Sequence, residues 1–371
     1  MKPIRVLQIV TSMRMGGIES FLMSHYRCID RTQVQFDFLK HRDSHDLFDD
    51  EILSLGGHIY SVSRINPLRQ CRYDREVRRF FQTHNTYKIV HSHLNTFSAF
   101  PLKIAKEAGV PVCISHAHTV MKGLDFRTPF RLYTKAVLPR YYTDAFACSE
   151  AAWEWMFRGR PYQLWPNPID TRLFTPNAGV RKELREQMHL QNAYVIGMVA
   201  NFRPVKNHPF ILRVFAALCK EEPNAVLLLV GDGSTKAAVQ KLAKDLQIAD
   251  KVIFTGVCTD TERLLQVMDV FVLPSVYEGF SISVLEAESV GLPCVVSSGV
   301  PRDVKLFSEM QTTFLDISDV EPWVRQILAL KNYTRKSWAH EIQKTPYDVQ
   351  NSAEKLMNFY LARSQGVEYT A

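Results

Sequence analysis

The chain has 371 residues, of which 46% are hydrophobic and 22% charged, a composition typical of a globular protein of about two domains. No apolar run approaches the roughly 18 residues that a membrane-spanning helix needs, and the N-terminus lacks the cleavage region of a signal peptide. Seven cysteines without a Cys-x-x-Cys pair argue against a zinc or disulfide framework and favour the reducing cytoplasm.

All of the net charge of +7 lies in residues 1–170, because the remaining residues are balanced. A nucleic acid, an anionic membrane surface and an anionic acceptor would each suit such a surface, and a plain solvated surface is the default interpretation. The basic residues form no nucleic-acid-binding motif, so we predict that the protein binds no nucleic acid.

The first part of the chain alternates apolar strands with helical stretches. We predict strands at 4–10, 36–39, 59–62, 88–91 and 112–115, and helices at 18–26, 46–55 and 71–83. This alternation favours an α/β fold with a parallel, doubly wound sheet. Ligands of such sheets lie beyond the carboxyl ends of the strands.

A Gly16-Gly17 pair follows the first predicted strand and precedes a helix. Glycine lets the backbone approach a ligand closely at a helix N-terminus, although a plain βα turn has the same appearance. The chain has no Gly-x-Gly-x-x-Gly sequence, so a dinucleotide-binding site has no support.

Two His-x-His pairs follow later strands, His91 with His93 and His116 with His118. Such pairs suggest zinc, because alternate residues of an extended segment point the same way. No cysteine and no third ligand is apparent nearby in the sequence, so we predict that these histidines bind no metal.

Residues Met121–Tyr142 have the pattern of a basic amphipathic helix. Arg127, Arg131 and Lys135 recur every four residues, and aromatic residues occupy an adjacent face. The pattern is typical of helices that bind a membrane surface, and it also fits an ordinary surface helix whose aromatic residues point inward. We predict peripheral membrane contact through this segment.

A proline-rich junction, Trp-Pro-Asn-Pro-Ile-Asp, ends at residue 170 and marks a domain boundary. Further strands are predicted at 194–200, 225–230, 252–255, 270–273 and 294–297. Arg203 and Lys206 stand where the first of these meets a helix. Two cations there suit an anionic diphosphate, and they also fit a solvated basic loop.

The most informative stretch is 269–293, which combines a strand, a glycine turn and a helix start. Gly279 forms the turn, and Ser281 or Ser283 can cap the helix. Such a junction presents free N–H groups and the positive end of a helix dipole to a phosphate.

Two carboxylates frame this junction, Glu278 in the loop and Glu286 inside the helix. A loop carboxylate can accept hydrogen bonds from sugar hydroxyls, and one on the first turns of the helix can reach a ribose. The sequence Ser283-Val-Leu-Glu286 also fits a capping box, in which Glu286 only satisfies the helix N-terminus.

Taken whole, Asp269–Pro293 resembles the signature of glycosyltransferase family 4, whose members are retaining enzymes of GT-B fold. The signature has a strand ending in Pro-Ser, then Glu-Gly-Phe, then a second glutamate, and the resemblance extends over essentially the whole chain. It implies two Rossmann-like, doubly wound parallel-sheet domains that face each other across a cleft. Residues 1–170 would bind the acceptor and 171–349 the nucleotide-sugar donor, with a C-terminal helix at 350–371 packing back on the first domain.

The resemblance also implies roles for individual residues. His118 would contact the donor sugar, Glu278 would orient it, and Lys206 and Arg203 would stabilise the departing diphosphate, which makes these four the catalytic set. Arg203 replaces the family's usual arginine, whose position holds Asn201 here, five residues before the lysine. Donor contacts are implied for the following residues: Gly16, Gly17, Asn201, Gly256, Val257, Gly279, Phe280, Ser281, Ile282 and Glu286.

His116 is the second choice for the role of His118, and His93 matches a family histidine that we read as shaping the site. Gly256 and Val257 correspond to backbone that lies against the nucleotide base, and Glu286 to the ribose ligand. In this chain Gly299-Val-Pro-Arg-Asp303 replaces the family's more usual Gly-Gly and Glu pattern, so contacts there are not carried over.

The implied reaction moves a sugar from a nucleotide-sugar, expected to be a UDP-sugar, to a saccharide or polyprenyl-linked acceptor in exopolysaccharide or capsule synthesis. It would take place in the cytoplasm at the inner face of the plasma membrane. No Asp-x-Asp triplet occurs, which agrees with a GT-B enzyme that needs no metal or other cofactor. Two alternatives stay open: a UDP-sugar 2-epimerase of the same fold, and a non-catalytic glycosyltransferase-like subunit.

Overall fold

A computed structural model describes residues 2–14, 16–119 and 128–369. The chain divides into two compact units, one of Met1–Pro168 with Val349–Ala371 and one of Ile169–Asp348. The domain boundaries expected from the sequence, at 170 and 350, lie beside these divisions. The assignment of acceptor and donor to the two units stays a prediction.

The first unit is a seven-stranded, fully parallel sheet with the order β3-β2-β1-β4-β5-β6-β7. Its strands are β1 (Ile4–Val10), β2 (Val34–Lys40), β3 (Ile59–Ser61), β4 (Ile89–Ser92), β5 (Val112–Ala117), β6 (Asp144–Ala147) and β7 (Gln163–Leu164). Its helices up to the junction are α1 (Gly17–Cys28), α2 (Asp49–Ser54), α3 (Gln70–Thr83), α4 (Ala99–Glu107), α5 (Thr128–Val137) and α6 (Glu150–Phe157).

The pleat of β1 shows how the core of this unit is divided. Leu7 and Ile9 belong to the hydrophobic cluster on one face of the sheet, and Val6 and Val10 to the cluster on the other. Successive side chains of a strand point to opposite faces, so a parallel sheet that is covered on both faces requires apolar residues at both odd and even positions.

The second unit is a six-stranded parallel sheet with the order β10-β9-β8-β11-β12-β13. Its strands are β8 (Tyr194–Val199), β9 (Ala225–Val230), β10 (Val252–Gly256), β11 (Val270–Leu273), β12 (Cys294–Ser297) and β13 (Thr312–Leu315). Its helices are α7 (Ala178–Gln187), α8 (His208–Glu221), α9 (Lys236–Asp245), α10 (Thr261–Val267), α11 (Ile282–Ser289), α12 (Glu321–Ala329) and α13 (Ala339–Ile342).

The final helix, α14 (Val349–Ser364), packs on the first sheet. Phe359 and Tyr360 are completely buried, and the Phe359 ring lies 4.9 Å from that of Phe146 on β6. Ser352 accepts a hydrogen bond from the Trp165 indole at 3.2 Å. The prediction of a helix over 350–371 was therefore too long, because the helix ends at Ser364.

The parallel doubly wound architecture predicted from the alternation of elements is confirmed in both units. Three strands were missed, β6, β7 and β13, because they are short and each begins with a polar residue. None of the helices in the described ranges combines the length and hydrophobicity that a bilayer crossing requires.

Candidate functional site

Four histidines lie side by side where β4 and β5 end in the first unit. His91 and His116 are on the two strands, and His93 and His118 follow the last strand residues. Neighbouring rings are close, with centroids 4.2 Å apart for His91 and His93 and 3.9 Å apart for His116 and His118. All four are buried, and burial lowers the pKa of each, that of His118 to about 3. The cluster is therefore neutral at physiological pH.

One chain of hydrogen bonds runs through the inner pair. The Tyr360 hydroxyl lies 2.7 Å from Nδ1 of His91, and Nε2 of His91 lies 3.2 Å from Nδ1 of His116. Nε2 of His116 is buried and has no partner among the described residues.

A second chain runs through the outer pair. The Gln8 carbonyl oxygen lies 2.9 Å from Nε2 of His93, and Nδ1 of His93 lies 2.8 Å from Nε2 of His118. Nδ1 of His118 is the second buried nitrogen without a described partner. The two chains meet at their far end, where the Gln8 amide nitrogen donates to the Tyr360 hydroxyl at 3.3 Å.

A neutral imidazole carries one N–H and one bare nitrogen, so each chain has a direction. With the Gln8 amide donating to Tyr360, the Tyr360 hydroxyl donates to His91, and every ring then carries its hydrogen on Nε2. If the Gln8 amide is turned over, every hydrogen moves to Nδ1. In both arrangements, one of the unpartnered nitrogens on His116 and His118 donates and the other accepts. A hydroxyl group, which both donates and accepts, can pair with either kind of nitrogen.

The main chain of His118 is held by a residue with an unusual backbone. Its N–H donates to the Asn95 side-chain oxygen at 3.0 Å, and Asn95 adopts a left-handed conformation with φ of 50°. Asparagine adopts the left-handed conformation more readily than most residues, so Asn95 can hold the His118 N–H without a large backbone strain. The Phe21 ring of α1 lies edge-on to His118, with centroids 5.5 Å apart.

The expectation that no third ligand lies near the His-x-His pairs was wrong. Ring nitrogens of His91, His93 and His116 lie within 4.8 Å of one another. The two chains account for all of these nitrogens except Nε2 of His116, so hydrogen bonding among neutral rings explains the cluster. That the protein needs no metal stays a prediction.

The Gly16-Gly17 pair lies where predicted, at the start of α1. The N-cap residue, Gly16, has no side chain to cap this helix, and a Cβ added to Gly17 would meet nothing within 4 Å. Internal packing thus does not require glycine at Gly17. At Gly16 a Cβ would lie 2.5 Å from Oε2 of Glu19, so a carboxylate already lies against this end of the helix.

In the second unit, the structure brings together two residues that were predicted separately. Nζ of Lys206 donates to Oε1 of Glu278 at 2.5 Å, and the Ser275 hydroxyl donates to the same oxygen at 2.6 Å. The side chains of Lys206 and Glu278 are 18% and 12% exposed. A pair that is this well shielded is screened by water far less than a surface ion pair.

Backbone hydrogen bonds fix the loop that carries Glu278 against the loop that carries Lys206 and against the segment at Gly299. Val276 N–H donates to the Val205 carbonyl at 2.8 Å, and Glu278 N–H donates to the Gly299 carbonyl at 2.9 Å. A Cβ at Gly299 would lie 2.2 Å from the Val276 carbonyl oxygen, so only glycine fits there. The segment from Gly299, whose contacts were not carried over from the family, is thus part of the frame that positions Glu278.

The N-terminus of α11 carries no side-chain cap. Ser281 occupies the N-cap position, and its hydroxyl lies 3.3 Å from that of Ser283 instead of accepting a backbone N–H. A capping box would place its acidic residue at the third helical position, which is Val284. Glu286 is the fifth residue of the helix, so the capping-box alternative is excluded. The first-turn N–H groups remain available to an anion.

Glu286 is a partly buried carboxyl without a hydrogen-bond partner among the described residues. Burial raises the pKa of this carboxyl to about 8, and the negative charge of Glu262 adds to the effect. A carboxyl that is protonated near neutral pH can both donate and accept, which suits contact with the two hydroxyls of a ribose.

The other residues predicted to contact the nucleotide-sugar donor take no part in the Lys206–Glu278 ion pair. Arg203 and Asn201 are exposed, and Arg203 forms no ion pair in the part of the chain that the structure describes. Val257 is 52% exposed, beside Gly256 at the end of β10. Phe280 stacks on Tyr347, with centroids 5.1 Å apart. Gly279 and Ile282 flank Phe280 and Ser281 in the loop and at the helix start.

Sequence reasoning missed the residues that support these side chains: Gln8, Ser275, Asn95 and Tyr360. Gln8 carried a signal, because it is a polar residue between two apolar neighbours in the middle of a central strand. Tyr360 carried none, since an aromatic residue on the apolar face of a helix indicates only core packing.

The comparison with known proteins gives consistent results. Residues 180–344 match the family Glycosyl transferases group 1. The chain is 31% identical over 370 residues to the putative glycosyltransferase EpsF of Bacillus subtilis, with 96% of each chain covered. It is 26% identical to an Escherichia coli UDP-Gal:alpha-D-GlcNAc-diphosphoundecaprenol alpha-1,3-galactosyltransferase, with 65% of this chain and 66% of that one covered. The crystal structure of Anabaena Alr3699/HepE in complex with UDP and glucose superposes with a TM-score of 0.76 at 17% identity, covering 98% and 99% of the two chains.

The shared direction of the two histidine chains is testable. We expect His91, His93, His116 and His118 to be neutral at pH 7 and to carry their hydrogen on the same nitrogen, because one junction orients both chains. Imidazole ¹⁵N NMR of the histidine-labelled protein reports the tautomer of each ring. A mixture of tautomers among these four would contradict the network.

Tyr360→Phe removes the hydroxyl that joins the two chains and should lower the free energy of unfolding by about 1–3 kcal/mol.

The raised pKa of Glu286 predicts a pH-dependent stability. Above pH 4.5 the unfolded state releases the proton that the native state retains to about pH 8, so this carboxyl destabilises the fold progressively across that window. Glu286→Gln should be about as stable as wild type below pH 4.5 and more stable, by at least about 1 kcal/mol, at pH 8. Urea unfolding at a series of pH values measures this, and a difference that does not change with pH would refute it.

Proposed function

Because the chain belongs to the group 1 glycosyltransferases and has two GT-B-type units, we propose a specific reaction for this glycosyltransferase. It transfers a sugar from a UDP-sugar, with retention of configuration, to a lipid-linked saccharide in the synthesis of a surface polysaccharide. Membership of glycosyltransferase family 4 is part of this proposal. The observation that carries it is the shielded Lys206–Glu278 pair beside the uncapped N-terminus of α11.

The diphosphate of the donor is proposed to bind at this N-terminus. Lys206 supplies a cation, the first-turn amides around Ser281 supply N–H donors, and the exposed Arg203 is free to fold onto the leaving group. Fixed donors of this kind stabilise charge that develops on a departing phosphate without the help of a metal ion. We therefore propose that the reaction requires no metal.

Sugar and nucleoside are proposed to contact the carboxyls and the histidine. Glu286 would bind the ribose, with Gly256 and Val257 against the base, and Glu278 would accept hydrogen bonds from sugar hydroxyls. His118 and His116 offer one acceptor and one donor to a further sugar hydroxyl. A hydroxyl placed there would complete both histidine chains.

The chemistry follows from these contacts. The acceptor hydroxyl oxygen bonds to the anomeric carbon while the bond from that carbon to the diphosphate oxygen breaks. Attack on the same face retains the configuration, and the leaving phosphate takes the acceptor's proton. This route needs no nucleophile from the protein.

The names of the relatives support the substrate classes. The E. coli relative is named for a UDP-galactose donor and a diphosphoundecaprenol-linked acceptor, and HepE was crystallised with UDP and glucose. By analogy, we propose a UDP-sugar donor and a polyprenyl-linked or saccharide acceptor for this chain.

Simple assays distinguish the two alternatives. A 2-epimerase would convert UDP-N-acetylglucosamine without an acceptor, and a non-catalytic subunit would not bind UDP.

The Lys206 assignment gives a direct test of transfer. Lys206→Ala should lower kcat by roughly 10²–10³-fold, because it removes a preorganised cation from the leaving group. A donor screen that measures UDP release, with and without a membrane extract as acceptor, provides the assay. Lys220→Ala, an exposed lysine on α8, is the control that should retain activity. Equal rates for the two variants would refute the assignment.

Membrane contact through Met121–Tyr142 belongs to the same proposal, with the protein placed in the cytoplasm at the inner face of the plasma membrane. Residues 120–127, including Arg127, lie outside the described ranges. On α5, Leu132 and Tyr133 are 50% and 60% exposed, so not all of its apolar residues point inward. Lys135 lies over the Trp155 ring at 4.4 Å, which places a cation and an aromatic residue together.

Charge reversal at Arg127, Arg131 and Lys135 should weaken binding to anionic liposomes by at least about tenfold, since each basic residue near such a surface contributes on the order of 1 kcal/mol. Co-sedimentation with vesicles containing phosphatidylglycerol measures the effect. Reversal of the exposed Lys220, Lys241 and Lys244 in the second unit is the matched control. Unchanged co-sedimentation of the first variant would overturn the membrane proposal.

A further inference from the structure

A second concave surface lies on the first unit, beyond the ends of β1, β2 and β3. It encloses about 470 Å³, a size typical of ligand pockets. We call it the basic pocket, because four guanidinium groups line it, those of Arg14, Arg42, Arg64 and Arg72. None of the residues assigned above to the donor or to the histidine cluster contributes to it.

Two of the four arginines are neutralised within the protein. Arg72 pairs with Glu76 at 2.8 Å, one turn along α3, and Arg14 pairs with Asp46 at 3.0 Å. Glu76 is further engaged by the Ser63 N–H at 2.7 Å. These pairs leave little charge for a ligand.

Arg42 and Arg64 have no acidic partner in the part of the chain that the structure describes. Nε of Arg42 is also buried without a hydrogen-bond acceptor. Buried guanidinium N–H groups are ordinarily bonded, so an unsatisfied one beside a pocket indicates a missing acceptor. The Arg42 carbonyl is held by the Ser61 hydroxyl at 3.4 Å, which ties the residue to the end of β3.

The other titratable groups of the pocket do not cancel this charge. His41 is buried between the Val10 carbonyl and the Tyr73 hydroxyl, and burial lowers its pKa to about 4, so it is neutral. Asp43 is the one lining carboxylate besides Glu76 among the described residues. The pocket is therefore net positive.

We propose that the basic pocket binds an oxyanion of the acceptor through Arg42 and Arg64. A guanidinium group presents its donors in a planar fork that matches the oxygens of a phosphate or a carboxylate. The position suits a substrate, because ligands of parallel α/β sheets bind beyond the carboxyl ends of the strands. The inference rests on the proposed function, since it names the chemical class of the acceptor for that reaction.

Two sources would supply such an oxyanion: the diphosphate of a lipid carrier and the carboxylate of an acidic sugar. They differ in charge and geometry, so binding measurements distinguish them. The full-length protein is titrated calorimetrically with geranyl diphosphate and, separately, with glucuronate. Saturating UDP is present throughout to occupy the proposed donor site.

We expect one of the two probes to bind and to lose at least about tenfold in affinity in the double variant Arg42→Gln, Arg64→Gln. The double variant Arg75→Gln, Arg79→Gln removes the same charge from exposed positions of α3 outside the pocket and should bind like wild type. Binding should weaken with added salt. Melting temperatures establish that all variants fold.

Each result of these titrations has its own interpretation. Loss of geranyl diphosphate binding in the first variant alone assigns the pocket to a carrier diphosphate, and loss of glucuronate binding alone assigns it to an acidic sugar. Equal affinities in both double variants, or no binding of either probe to wild type, would overturn the inference. Failure of the proposed function has a different signature, the absence of UDP binding, which is titrated beforehand in the same protein.

Discussion

The ion pair between Lys206 and Glu278 is the constraint on which the second unit's candidate site depends. Two charges removed from water are costly unless they meet each other and find further hydrogen bonds. Here Ser275 supplies a second donor to the carboxylate, and backbone bonds at Val276 and Glu278 fix the loops that carry the pair. The Lys206 cation is therefore fixed in position, and any anion that bound there would share it with Glu278.

The first unit solves the problem of buried polar groups in the opposite way. Its histidines stay neutral, and they are linked into two chains that end at unpartnered nitrogens on His116 and His118. In the second unit an ion pair fixes the positions of Lys206 and Glu278. In the first unit hydrogen bonds between neutral rings fix the positions of the histidines. The two nitrogens without a described partner are buried polar atoms of the kind that ordinarily form a hydrogen bond, which is why the proposed sugar hydroxyl is placed against them.

Much of this could be predicted from the sequence. The alternation of apolar strands and helices predicted both sheets, and the glycine turn at Gly279 predicted the helix that begins beside it, whereas anion binding at that junction stays a prediction. Pairing across long separations could not be predicted, because nothing in either segment indicates that Lys206 meets Glu278. The same holds for Tyr360, which reaches His91 from the other end of the chain. Periodicity reports which face of an element is buried, but it does not report what that face meets.

The return of α14 to the first sheet has a consequence for how the protein is made. Ser352 and Tyr360 of α14 complete the polar interior of a unit whose strands all precede residue 169. On the ribosome, that interior stays open while the whole intervening unit is synthesised. The histidine chains can acquire their common direction only after the last helix, which carries Tyr360, has emerged.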